Sequence, residues 1–156
     1  MLRLNKLTDY GVVILSELAA APDEACTATR LASSTGIGKP TVNKLLKLFT
    51  GAGLLRSIRG RYGGYVLARP PGRIALTEII EAVEGPMAVT ECSIDTEACD
   101  RAPTCSIRPH WQYINEAIHD ALDGITLEQL IQPPAKPVVY WPGRSDSEMR
   151  EASGGK

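Results

Sequence analysis

The segment "ATRLASSTGIGKPTVNKLLKLFTGAGLLRSIRGRYGGYVLA", residues 28–68, limits the possible fold more than any other part of the chain. Thr27 can cap a short first helix, and Gly36 breaks it. Pro40 suits the first turn of a second helix, because its ring fixes φ and the amide it lacks has no helical partner there. In that second helix Val42, Leu45, Leu46 and Phe49 fall on one face and Thr41, Asn43, Lys44 and Lys47 on the other. Gly51 and Gly53 end it, and two short β-like runs then flank the turn-rich "RGRYGG". Two helices around a glycine turn, the second basic and followed by a hairpin, form the pattern of a winged helix-turn-helix. The expected fold is therefore mainly α with one small β-hairpin.

Charge is distributed unevenly. Residues 1–70 carry ten Lys/Arg against four acids, and residues 71–156 carry seven against fourteen, so a net charge of −1 conceals halves of +6 and −7. No acidic residue occurs from 25 to 77, where nine basic residues lie. Such a half suits a polyanion. Pro40, Thr41, Asn43 and Lys44 occupy the first turns of the second helix, the part that reaches base edges in a major groove. Asn43 has the donor–acceptor pair for an adenine edge, and Lys44 suits a guanine or a phosphate. Lys47 and Arg56 are expected on phosphate. Arg59 and Arg61 flank Gly60 at a tip thin enough for a minor groove.

Elsewhere the chain reads as helices. "TDYGVVILSELAA", residues 8–20, is one, with Thr8 as its cap, and "ALTEIIEAVEGP" is another, with Thr77 as cap and Gly85-Pro86 as stop. Trp111, Ile114, Ile118, Ala121 and Ile125 recur at steps of three and four, a helix of about four turns with one apolar seam. "TLEQLI" follows with a Thr126…Gln129 capping box, and the Pro-, Gly- and Ser-rich remainder is expected to be mostly disordered. The expected organisation is a DNA-binding domain at 1–86, a cysteine loop at 87–107, a dimerisation helix with a short following helix at 108–132, and a tail at 133–156. No apolar run approaches the roughly eighteen residues of a membrane span, and the N-terminus is unlike a signal peptide, so a cytoplasmic protein without a membrane partner is expected. An enzyme is not: no Gly-rich phosphate loop is present, and neither histidine has an evident nucleophile beside it.

The loop "TECSIDTEACDRAPTCSIRPHW" holds Cys92, Cys99 and Cys105. Three thiols make no even set of disulfides, and a reducing compartment disfavours such bonds. Clustered thiolates select zinc, Cu(I) or iron–sulfur clusters. Structural zinc usually takes pairs two to four residues apart, and these gaps are wider. Three thiolates would serve three irons of a cubane and leave the fourth to another ligand. Zinc and a metal-free thiol switch stay open beside that reading. Cys26 reads as a small buried residue.

The order "LTDYGVVIL … RLASSTGIGKPTVNKLLKLF … GLLRSIRGRYGGYVLARP … ALTEIIEAVEGP … TEC" resembles the IscR/NsrR/RirA family of bacterial winged-helix regulators from residue 1 to about 130. The resemblance implies a homodimer with crossing C-terminal helices, a pseudo-palindromic double-stranded DNA operator, and an iron–sulfur cluster (4Fe–4S or 2Fe–2S) on Cys92, Cys99 and Cys105. One branch places a histidine three positions past the last cysteine, where this chain has Arg108; His110 is two residues further on. Another completes its cluster with an N-terminal aspartate, and Asp9 stands at the matching position. A small exogenous ligand is the third option. "GPMAVTECS … CSIRPHWQYIN" looks most like the branch regulating the SUF cluster-assembly operon, with nitric-oxide- and iron-responsive repressors as alternatives. A zinc-stabilised or thiol-redox DNA-binding module is the alternative outside the cluster-binding regulators.

Overall fold

The computed structural model describes residues 4–22, 24–90, 93 and 104–133. Helix α1 spans Lys6–Ala20, α2 Ala28–Thr35 and α3 Lys39–Gly51. Strands β1 (Leu55–Ile58) and β2 (Gly64–Leu67) pair antiparallel, with Leu55 opposite Leu67 and Ile58 opposite Gly64. A 3₁₀ turn at Pro71–Arg73 leads into α4, Leu76–Glu84. Helix α5 spans Arg108–Asp123 and α6 Leu127–Ile131. Mainly helical with one two-stranded hairpin, this is the fold expected from the sequence. No helix among the described residues is long and apolar enough to cross a membrane.

One core joins α1, α2, α3, the hairpin and α4. Ile14, Leu15, Leu31, Val42, Leu45, Leu46, Phe49, Leu54, Ile74 and Ile79 are all fully buried in it. Gly11 lets α1 approach α3, since a Cβ there would lie 2.7 Å from Phe49 Cζ. Leu127 belongs to the same core, so α6 returns to the N-terminal helices instead of extending α5 outward. Backbone bonds fasten that return: Leu76 N–H donates to Ile125 O at 2.8 Å and Leu127 N–H to Ile74 O at 2.9 Å. The capping box of α6 is present, with Gln129 N–H donating to Thr126 Oγ1 and Thr126 N–H to Gln129 Oε1.

Two expected caps are corrected. Helix α1 begins at Lys6, not at residue 8, and its cap is Asn5, whose Oδ1 accepts from Leu7 N–H at 2.6 Å and Thr8 N–H at 3.2 Å. Thr8 lies inside the first turn, fully buried, and its hydroxyl donates to Glu84 Oε1 at the end of α4. Helix α4 is entered from Ala75, whose N–H donates to Glu78 Oε2 at 3.0 Å. Thr77 is buried inside that helix and donates to Asp123 Oδ1 at 2.6 Å. Both threonines found carboxylates on remote helices, and a buried hydroxyl needs such a partner.

Candidate nucleic-acid interface and cysteine loop

The recognition unit is built as its sequence suggests. Thr27 Oγ1 accepts from Arg30 N–H at 3.2 Å, and Gly36 closes α2 in the left-handed region at φ 71°, with its N–H on Ala32 O. Gly38 then caps α3, with Pro40 in its first turn and no acid there. Val42, Leu45, Leu46 and Phe49 are fully buried. Pro40, Asn43, Lys44 and Lys47 are exposed and Thr41 half-buried, so the polar face of α3 is presented outward.

The hairpin is strapped to the residues that precede α2. Cys26 N–H donates to Tyr65 O at 3.0 Å, and Tyr65 N–H to Cys26 O at 2.9 Å. This approach is close enough that a Cβ on Gly64 would sit 2.7 Å from the Cys26 carbonyl, so only glycine fits. Cys26 itself is buried, and desolvation pushes its thiol above the ordinary value of 9.0. Arg56, on β1, and Arg59 and Arg61, at the tip, are exposed, with Arg61 lying 5.9 Å from the Tyr62 ring centroid. Among the described residues the ion pairs are Arg30–Glu24 at 3.4 Å and Arg69–Glu78 at 2.7 Å. Lys44, Lys47, Arg56, Arg59 and Arg61 thus carry charge that no acid of the described residues neutralises.

The second predicted site is only partly visible. Cys92 and Cys99 lie outside the described residues, as does the expected tail from residue 134 onward. Cys105 is half-exposed just before α5, and His110 is exposed in the first turn of that helix. Asp9 is exposed in the first turn of α1. Beside it, the Lys6 ammonium is held above 10.5, chiefly by the Tyr10 hydroxyl and to a smaller extent by Asp9. Among the described residues no three His, Cys, Asp or Glu side chains converge as metal ligands. Three residues beyond Cys105, Arg108 Nε is enclosed and has no hydrogen-bond acceptor among the described residues. An anionic group held by the loop would satisfy that donor.

The expected apolar seam divides. Ile114 is 38% exposed and Ala121 is exposed, whereas Ile118, Asn115 and Leu122 turn inward. They line a cavity of about 330 Å³ with Leu4, Ile80 and Met87. Trp111 is half-buried, and Ile125 lies beyond the end of α5. Sequence reading missed Ile107 and Tyr113, which are 53% and 72% exposed near Ile114. Ile107 stands seven residues, about two helical turns, before Ile114, and that spacing was the available signal; Tyr113 carried none.

A buried-stripe helix presenting a basic face, followed by a glycine-dependent hairpin, defines the winged helix-turn-helix class. Residues 4–133 match the Rrf2 family, described as iron-dependent transcriptional regulators. The chain belongs to the Rrf2 family of transcriptional regulators. It is 35% identical over 122 residues to the HTH-type transcriptional regulator CymR of Bacillus subtilis, covering 78% of this chain and 83% of that one. The solved structure titled as CymR, the global cysteine regulator of B. subtilis, superposes with a TM-score of 0.65 at 32% identity, covering 84% and 97% of the two chains. The regulator IscR of Xenorhabdus nematophila is 29% identical over 156 residues, 99% of this chain and 93% of that one. The structure of T. potens IscR gives a TM-score of 0.63 at 26% identity, with coverage of 91% and 94%. These relatives are named as transcriptional regulators, in keeping with a protein that is not an enzyme.

Proposed function

We propose that this chain is a homodimeric repressor that reads a double-stranded operator and adjusts its grip through a cluster held by the cysteine loop. The observation that carries the DNA half is the unneutralised set Lys44, Lys47, Arg56, Arg59 and Arg61 on α3 and the hairpin. Pro40, Thr41, Asn43 and Lys44 would meet base edges, and Lys47 and Arg56 phosphate, while Arg59 and Arg61 enter the minor groove. In this reading residues 1–86 bind DNA, 87–107 hold the cluster and 108–132 dimerise.

Cys92, Cys99 and Cys105 would ligate an iron–sulfur cluster, with Asp9, His110 or a small molecule as the fourth ligand. The donor set fits: soft thiolates suit iron–sulfur chemistry, and the enclosed Arg108 Nε suits the anionic charge such a group brings. When bound, the cluster supplies sensitivity to oxygen, nitric oxide or iron supply. The genes we assign to it are those of cluster assembly, the SUF operon. A second reading, a thiol-responsive regulator without a cluster, is favoured by the 35% identity to CymR.

Anaerobic purification separates the two. Brown protein with iron and acid-labile sulfide supports the cluster reading, and retention of colour in His110→Ala but not Asp9→Ala would identify the fourth ligand. Colourless protein, whose DNA affinity changes only with thiol oxidation, supports the second reading. Equal operator affinity with and without the cluster would refute regulation by it.

A further inference from the structure

The side chains that the sequence misplaced reveal a mechanical connection. Glu84, at the end of α4, accepts on one carboxylate oxygen from both the Thr8 hydroxyl and the Asn5 N–H, the latter at 3.0 Å. Residues 85–89, the stem of the cysteine loop, leave α4 immediately after it. That stem is held on its far side, where Val89 N–H donates to Asn115 Oδ1 of α5 at 3.0 Å. On the other side of the carboxylate, Thr8 lies one helical turn from Gly11, the residue against which Phe49 of α3 packs. Thr8 and Phe49 are both fully buried, so neither can shift without repacking its surroundings.

We propose that Glu84 is a positioning residue that locks the stem of the cysteine loop to the first turn of α1, and through Gly11 and Phe49 to the recognition helix α3. The inference rests on the DNA-binding reading above and does not depend on what the loop holds. Through it, a change in the stem moves α1 as one body with α3, and DNA bound at α3 stiffens the stem in return, since coupling between two sites is reciprocal. A carboxylate oxygen that accepts from two donors is well suited to this role, because its loss strands a buried hydroxyl and frees the helix cap together.

The test is amide hydrogen exchange on the full chain, with and without a duplex that the wild-type protein selects from random-sequence DNA. Without DNA, Glu84→Ala should speed exchange about tenfold both at residues 7–9 and at 87–89. Glu84→Gln, which keeps an acceptor oxygen, should restore protection. With DNA, the wild type and Glu84→Gln should gain protection at 87–89, and Glu84→Ala should not. Thr8→Val removes the donor while leaving the helix intact, and serves if Glu84→Ala does not fold. A full DNA-induced gain in Glu84→Ala or Thr8→Val overturns the lock, as does faster exchange confined to one of the two segments. If no duplex is enriched, the DNA-binding reading fails instead, and the DNA-free arm alone decides for or against the lock.

Discussion

Helices α3 and α5 are both amphipathic and both begin with a proline in the first turn, yet they solve opposite problems. α3 buries Val42, Leu45, Leu46 and Phe49 completely, whereas α5, three residues longer, buries none of its side chains fully. The stripe of α3 is satisfied within its own chain, which fixes the helix and leaves its polar face free to read DNA. That of α5 is met only in part by α4: Ile114 stays 38% exposed, Tyr113 beside it 72%, and Ile107, just before the helix, 53%. An exposed apolar strip of this kind is suited to a second surface. One helix is fully placed by the fold, and the other keeps an apolar strip that its own chain covers only in part.

The largest expected effect tests the first half of that contrast. Phe49→Ala should cost about 3–5 kcal/mol in urea unfolding, because a fully buried ring leaves a cavity behind Gly11. Tyr113→Ala, at a mostly exposed position, should change folding by only about 0.5 kcal/mol. Comparable losses at the two positions would erase the distinction.

Next in size is assembly. Ile107→Asp combined with Ile114→Asp should raise the dimer dissociation constant about 100-fold in sedimentation, by burying two charges without partners. Far-UV circular dichroism should stay close to that of the wild type, since neither side chain belongs to the core. An unchanged dissociation constant, or a wild type that is monomeric in the same experiment, would refute the proposed dimer contact through this strip.

Much of this was legible in the sequence because the governing interactions are local. The α3 stripe follows from a 3.6-residue period, and the turn at Gly36 and the hairpin from glycines with backbone demands. Thr8 and Thr77 were misread for the opposite reason. Threonine near a helix start suggests a cap, but their partners Glu84 and Asp123 stand 76 and 46 residues away, beyond any local window. Ile118 and Ile125 fitted the α5 seam by spacing, but spacing does not reveal which side a helix turns toward its own α4. The cysteine loop has no periodicity, so its residue types indicate chemistry without geometry, and two of its three thiols lie outside the described residues.

On the DNA face the expected changes are smaller and differ in kind. Lys44→Ala should weaken operator binding by about 1–3 kcal/mol if it reaches a base edge, and should relax preference at one position. Arg61→Ala should instead weaken binding evenly across sequences and reduce the slope of log affinity against log salt by about one. Identical salt slopes in wild type and Arg61→Ala would place the hairpin tip away from the phosphates.

The two thiols within the described residues carry the comparison to its smallest scale. Cys26 is buried at the root of the hairpin, and Cys105 is half-exposed at the entrance to α5. Burial raises the folded value of the Cys26 thiol above 9.0 by disfavouring the thiolate. The unfolded chain therefore releases its proton first, and folding stability is complete below about pH 9 and declines as pH rises beyond it. At neutral pH Cys26 has no reason to ionise, which suits a packing residue and not a sensor. Alkylation of metal-free protein by iodoacetamide at pH 7.5, followed by peptide mapping, should label Cys105 about tenfold faster than Cys26. Denaturant should abolish the difference, because only the fold separates the two thiols. Equal labelling of the native protein would show that the strap between Cys26 and Tyr65 opens readily. Burial in the fold would then give Cys26 no more protection than Cys105 has, and the contrast between the two thiols would fail.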